Sequence, residues 1–99
     1  MKMTSALVKE TLSQFEAQPI PDNHPARPQL TRLFGDHTFF LDSSGLHILE
    51  PHGRSERGAA LANVVRVARW EDVDHLQAHE PEPTDIVVEL GGKGPDSAA

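Results

Sequence analysis

Apolar residues recur at helical spacing near the start of the chain. Within residues 5–17 they fall on one side of a helical wheel, which is typical of an amphipathic α-helix. Thr4 or Ser5 can cap the start of this helix, and Pro19 would stop it. We expect its apolar side to cover the core of the domain. The residues on that side are Val8, Leu12 and Phe15.

A proline-rich connector and a second short helix follow. Four prolines between residues 19 and 28 predict a stiff segment at the surface. After it, apolar residues again recur at helical spacing, with Pro28 suited to the first turn and Gly35 suited to the C-terminal end. The sequence therefore predicts a short helix that begins near Pro28 and ends before Gly35. Its apolar residues are Leu30, Leu33 and Phe34.

Residues 37–50 have the pattern of a β-hairpin. Asp42, Ser43, Ser44 and Gly45 fit a type I turn whose glycine takes a left-handed bulge position. The predicted cross-strand pairs are Phe40 with Ile48, Phe39 with Leu49 and Leu41 with His47.

Both faces of this predicted hairpin are apolar, although a hairpin with one solvated face should alternate apolar and polar residues. In one interpretation, the helices cover one face of the hairpin and the loops at 51–59 and 71–83 cover the other face. A second copy of the chain or another protein is the alternative cover, with Phe39, Leu41 and Leu49 as interface anchors. Our first hypothesis is a small non-enzymatic interaction module that self-associates or binds a protein partner through the 37–50 hairpin.

The remaining elements are predicted to be strands. Residues 61–70 fit a helix by spacing, but their β-branched valines favour a strand. Residues 84–90 form a short β-branched run that is ended by glycines. We predict an α+β fold with two N-terminal helices packed on a small, mainly antiparallel four-stranded sheet. It would form a single domain over residues 1–90, with a flexible C-terminal tail at 91–99.

The distribution of charge excludes some classes of function. The net charge is +1 over residues 1–35, 0 over 36–70 and −7 over 71–99. The few basic residues form no stripe for phosphates, so we predict no nucleic-acid binding. The acidic C-terminal third could attract a basic partner.

The sequence also contains no membrane-spanning or secretory pattern. No apolar run is long enough for a membrane helix and no secretory signal is evident, so we expect a cytoplasmic protein that does not bind membranes.

The chemistry of possible sites is limited by the absence of cysteine, which removes disulfides and thiolate ligands. Our second hypothesis is a metal-binding protein that uses His75 and His79 with the carboxylates of residues 71–85. The two imidazoles could share an ion if the segment were helical, but not if it were extended. The other interpretation is a solvated acidic loop with exposed histidines.

A hydrolase is the third and weakest hypothesis. It would use Asp42, Ser43 or Ser44, and His47 around the hairpin turn. No GxSxG motif is present, and the serines are explained by their preference for turns. We therefore predict that the protein is not an enzyme and that it needs no cofactor.

Overall fold

A computed structural model of the chain describes residues 3–21 and 23–90. They form one antiparallel sheet whose five strands lie side by side in chain order, together with two short helices. No helix in these ranges is long and apolar enough to cross a membrane. The predicted tail at 91–99 lies outside the described residues. The elements are α1 (Ser5–Leu12), β1 (Gln18–Pro19), α2 (Arg27–Phe34), β2 (Phe40–Asp42), β3 (Gly45–Arg54), β4 (Ala60–Asp72) and β5 (His75–Leu90).

The α+β class and the antiparallel sheet agree with the sequence pattern, but the predicted number of strands is wrong. Part of the proline-rich connector pairs with β2 as the additional strand β1. The predicted strand at 61–70 is confirmed as part of β4. The acidic segment, which we treated as a loop or a helix, belongs to a long β5 that reaches back to His75. Its prolines are compatible with a strand because β5 lies at the sheet edge, where a missing amide donor is tolerated.

The helices differ in how closely they follow the prediction. The ends of α2 are confirmed: Pro28 lies in its first turn, and Gly35, with φ of 96°, follows its last residue. In contrast, α1 ends at Leu12 rather than at residue 17. Just after the helix, the side chain of Gln14 binds the backbone nitrogen and oxygen of Glu89 on β5. The early end of α1 thus coincides with a tertiary contact that the local sequence does not show.

The β2–β3 hairpin has a register that differs from the predicted one. The observed pairs are Phe40 with His47, Leu41 with Leu46 and Asp42 with Gly45. Gly45 thus pairs within the ladder instead of bulging out of it. A Cβ atom at Gly45 would lie 2.0 Å from the carbonyl oxygen of Ala68 on β4. Both the close approach of β4 and the positive φ of 140° require glycine here.

Apolar residues lie on both faces of the sheet, as they did in the predicted hairpin, and residues of the two helices pack against them. We call the two groups the α1-side cluster and the α2-side cluster. The α1-side cluster contains Phe15, Phe40, Leu49, Ala62, Val64, Val88 and Leu90, with Leu7, Val8 and Leu12 packed against it. The α2-side cluster contains Phe39, Leu46, Ile48, Val65, Val67 and Ala68, with Leu30, Phe34 and Leu41 packed against it. Each face of the apolar hairpin is therefore contacted by residues of one helix, and Leu76, from the segment at 71–83, also packs against the α2-side cluster.

Candidate functional site

The three predicted interface anchors do not form one exposed surface. Phe39 and Leu49 are both 0% exposed, and they lie in opposite clusters because a change of register by one residue moves side chains to the other face. Leu41 is half-buried on the same side as Phe39. Phe39 and Leu49 cannot contact a partner in this conformation, and we correct their assignment from interface anchors to core residues.

The two histidines predicted to bind a metal are also apart. His75 and His79 both belong to β5, and four residues of extended chain span about 13 Å. Zinc with nitrogen ligands at about 2.1 Å cannot bridge that distance. His79 instead donates from Nδ1 to the carbonyl oxygen of Glu80 at 2.7 Å, and its Nε2 lies 4.0 Å from Oε1 of Glu82. The extended conformation of the segment therefore removes this pair as a shared site.

His75 belongs to a different group of potential ligands, which we call the tip cluster: Asp72, Asp74 and His75. These residues surround the two-residue turn between β4 and β5, and their ligand atoms lie within 4.8 Å of one another. Nδ1 of His75 is 2.9 Å from Oδ1 of Asp72 and 2.9 Å from Oδ1 of Asp74. The hydrogen bond from His75 lowers the pKa of the Asp72 carboxyl. All three residues are exposed.

The residues of the hydrolase hypothesis do meet, at the β2–β3 turn. Oγ of Ser44 lies 3.3 Å from Nε2 of His47, and Nδ1 of His47 lies 3.6 Å from Oδ1 of Asp42. His47 is buried beside the ring of Phe15, with 5.3 Å between the ring centroids. Burial lowers the pKa of the His47 imidazole, against the opposing effect of the Asp42 carboxylate. The sequence named these residues only as the weakest hypothesis, and the contact of His47 with the turn is a finding of the structure.

The geometry of this group is nevertheless that of a turn and not of a catalytic triad. Oδ1 of Asp42 accepts directly from the hydroxyl of Ser44 at 2.8 Å, so the acid contacts the candidate nucleophile itself. In a triad the acid orients the imidazole, and the imidazole alone contacts the nucleophile. The amides of Ser44 and Gly45, the nearest candidates for an oxyanion hole, also donate to Asp42. These bonds are those of an aspartate that stabilises a tight turn.

A groove of about 550 Å³ lies between the C-terminal end of α2 and the sheet. We call it the α2 groove. Leu33, at its rim, is 58% exposed, although its spacing suggested a core position. Nε2 of His79 is buried here without a hydrogen-bond partner among the described residues. The α2 groove is lined by Leu33, Phe34, His37, Ile48, Glu50, Val67, Ala78, His79, Glu80 and Pro81.

Sequence reasoning missed this groove because its walls come from α2, β3, β4 and β5, which only the folded sheet brings together. No local signal pointed to it, because Leu30, Leu33 and Phe34 have the i, i+3, i+4 spacing of a single apolar helix face. The structure places Leu30 and Phe34 against the α2-side cluster and leaves Leu33 at the surface. His37, Ile48 and Glu50 connect the groove to the open end of the hairpin.

The comparisons with known proteins identify no relative. No family model matches the chain, and neither the curated proteins nor the solved structures contain a match.

Proposed function

We propose that the protein is a small non-enzymatic interaction module that binds a segment of a protein partner in the α2 groove. The observation that carries this proposal is the exposed Leu33 beside an apolar floor formed by Ile48 and Val67. Binding sites are typically concave and largely apolar, with a few polar groups, and the α2 groove has this character. The 37–50 hairpin still takes part in the proposed binding, because Ile48 and Glu50 near its open end line the groove, whereas the buried Phe39 and Leu49 do not.

The charges around the α2 groove favour a basic partner. Glu50 and Glu80 line it, and no Lys or Arg does so within the described ranges. The whole chain has a net charge of −6, so a second copy would approach against electrostatic repulsion. The partner that fits is a segment with an apolar side chain flanked by Lys or Arg. The apolar side chain would fill the groove, and the cations would face the two glutamates.

Addition of a partner strand to the outer edge of β5 is disfavoured. The pairing of β5 with β4 is interrupted between Asn63 and Val65 and again between Arg66 and Ala68. Pro81 and Pro83 lack amide donors, and Gln14 already binds the backbone of Glu89. Bulges, prolines and bound side chains are the features by which natural edge strands avoid pairing. Docking in the groove is therefore the better proposal.

A peptide titration tests this proposal. The probe is a hexapeptide of sequence Lys-Lys-Leu-Phe-Lys-Lys, and the comparison peptide is Glu-Glu-Leu-Phe-Glu-Glu. We expect the basic peptide to shift the backbone NMR resonances of Glu50 and of residues 78–80, because they line the groove. Replacing Leu33 with serine should weaken binding about tenfold, since it removes one exposed apolar contact worth about 1.5 kcal/mol.

The matched control is Val73→Ser, which removes a valine that is 96% exposed at the β4–β5 turn, outside the groove. This change should leave peptide binding unaltered. Equal binding of the acidic peptide, or an equal effect of the two serine variants, would refute docking in the α2 groove. If the molar mass in solution were that of two chains, and Leu33→Ser reduced it to that of one, the occupant of the groove would be a second copy of the chain and not a basic partner.

The tip cluster supports a second candidate function, the binding of a divalent metal ion. Asp72, Asp74 and His75 offer two carboxylate oxygens and one imidazole nitrogen within 4.8 Å. This donor set suits zinc, with water completing the coordination. The ion would replace the proton that Nδ1 of His75 shares with the two carboxylates, so binding should weaken as the pH falls.

Zinc titration at neutral pH tests this candidate. We expect Zn²⁺ to shift the imidazole resonances of His75 while those of His79 stay unchanged, and to raise the melting temperature by mass action. Asp74→Asn should abolish both effects, whereas Asp85→Asn, a change at an exposed acidic residue outside the cluster, should not. Absence of a His75 shift at millimolar zinc would eliminate the candidate.

A further inference from the structure

Trp70 is the single tryptophan of the chain, and it lines a second groove, remote from Leu33. Its indole Nε1 donates to the carbonyl oxygen of Asp42 at 2.8 Å, which fixes the half-buried ring against the end of β2. The groove has a volume of about 520 Å³, and Ala17 and Leu41 contribute apolar walls. We call it the Trp70 groove.

Two carboxylates share this groove with the indole. Glu16 comes from the segment between α1 and β1 and is exposed, and Asp42 comes from the end of β2. No Lys or Arg lines the groove within residues 3–21 and 23–90. Oδ1 of Asp42 accepts from the amides of Ser44 and Gly45 at 2.8 and 3.1 Å, so its carboxylate is held in place by the turn. The negative charge at Asp42 is thus preorganised, while Glu16 can adjust.

An indole with two carboxylates and no cation is a combination that favours an organic cation. Tryptophan has the strongest cation–π interaction of the aromatic side chains, and it tolerates the apolar surface of an alkylammonium or guanidinium group. A metal ion would find only two carboxylate side chains here and would gain little from the apolar walls. A neutral ligand would gain no electrostatic attraction from the two carboxylates.

We propose that the Trp70 groove is a binding site for an organic cation, with the cation against the indole and between Glu16 and Asp42. This site is separate from the α2 groove and does not depend on the function proposed for it. The cation can be the side chain of a Lys or Arg in a peptide, or a free quaternary ammonium compound. Both present the same chemistry to the groove.

Fluorescence of Trp70 reports on this site directly, because the chain has no other tryptophan and no tyrosine. The free-cation probe is choline, and its neutral isostere is 3,3-dimethylbutan-1-ol. The side-chain probes are the N-acetyl methylamides of lysine and arginine, with sodium chloride at matched ionic strength as the salt control. We expect a saturable change in emission with a cation and none with the neutral isostere.

The same titrations distinguish the two sources of the cation. A response to choline alone identifies a free cation, and a response to the amino-acid derivatives alone identifies a peptide side chain.

A matched pair of variants places the cation next to Glu16. Glu16→Gln should weaken the response about two- to fivefold, as expected for loss of one exposed carboxylate partner. Glu56→Gln changes an exposed glutamate in the loop between β3 and β4 and should have no effect. Both changes are at the surface, and far-ultraviolet circular dichroism verifies the fold. An equal response to the neutral isostere, no response to any cation, or equal effects of the two variants would overturn the proposal.

Discussion

Replacing Gly45 with alanine is expected to destabilise the protein by about 2–6 kcal/mol. The new Cβ would lie 2.0 Å from the Ala68 carbonyl oxygen and 3.0 Å from Cα of Arg69, so β3 and β4 must separate. The φ angle of +140° adds backbone strain, since L side chains rarely adopt it. Strain and overpacking each cost about 1–3 kcal/mol. Because small domains have a total stability of about 5–15 kcal/mol, urea unfolding followed by circular dichroism should detect the loss easily.

Gly53→Ala is the matched control for this prediction. Gly53 also has a positive φ, of +89°, but an added Cβ would meet no atom within 4 Å. Its cost should be limited to the left-handed conformation, about 1–2 kcal/mol. The difference between the two variants isolates the contact between β3 and β4. Equal unfolding midpoints for the two alanine variants would contradict the register described for this hairpin.

Replacing Phe39 with alanine is the second large prediction, with an expected loss of about 3–5 kcal/mol. Phe39 is 0% exposed and contacts Phe34, with 6.2 Å between the ring centroids. The guanidinium of Arg27 lies over its ring, 5.2 Å from the centroid. Truncation would leave a cavity under α2 and remove these contacts. The free energy of unfolding, obtained from urea titration, measures the effect.

The same variant distinguishes a core residue from an interface anchor. Leu33→Ala changes the 58% exposed leucine of α2 and should cost about 0.5 kcal/mol or less. If Phe39 were an interface anchor, Phe39→Ala would change the particle mass in solution and leave the stability of the single chain nearly intact. A loss of stability at constant mass supports the buried position.

The hydrolase hypothesis and the metal-binding hypothesis differ in how far the local sequence could decide them. Asp42, Ser44 and His47 were named together because they are close in sequence, but their contacts depend on the register of the hairpin, which the sequence did not predict. The pair His75 and His79 was predicted conditionally, since its geometry depends on whether the segment is helical or extended. The pairing of β5 with β4 settles that question. Residues 71–83 have no local signal strong enough to do so.

The hairpin register shows how a local argument fails. The turn residues alone allow the glycine to bulge out, and this choice placed Leu49 beside Phe39. In the structure Gly45 pairs with Asp42, and Ala68 of β4 lies so close to it that a side chain at position 45 would clash. Ala68 is more than twenty positions away, so the turn sequence does not reveal this constraint. The register decides which side chains lie opposite one another across the hairpin.

The sequence by itself determined features that depend on neighbouring residues: the ends of α2, the presence of a turn at 42–45 and the strand within 61–70. Proline, glycine and β-branched side chains impose these through their own backbone preferences. Only the tertiary structure decided the early end of α1, the register of the hairpin and the grooves at Leu33 and Trp70. Each of these features depends on contacts or hydrogen bonds between segments that are distant in sequence. Such contacts form only in the folded chain, so the local sequence does not show them.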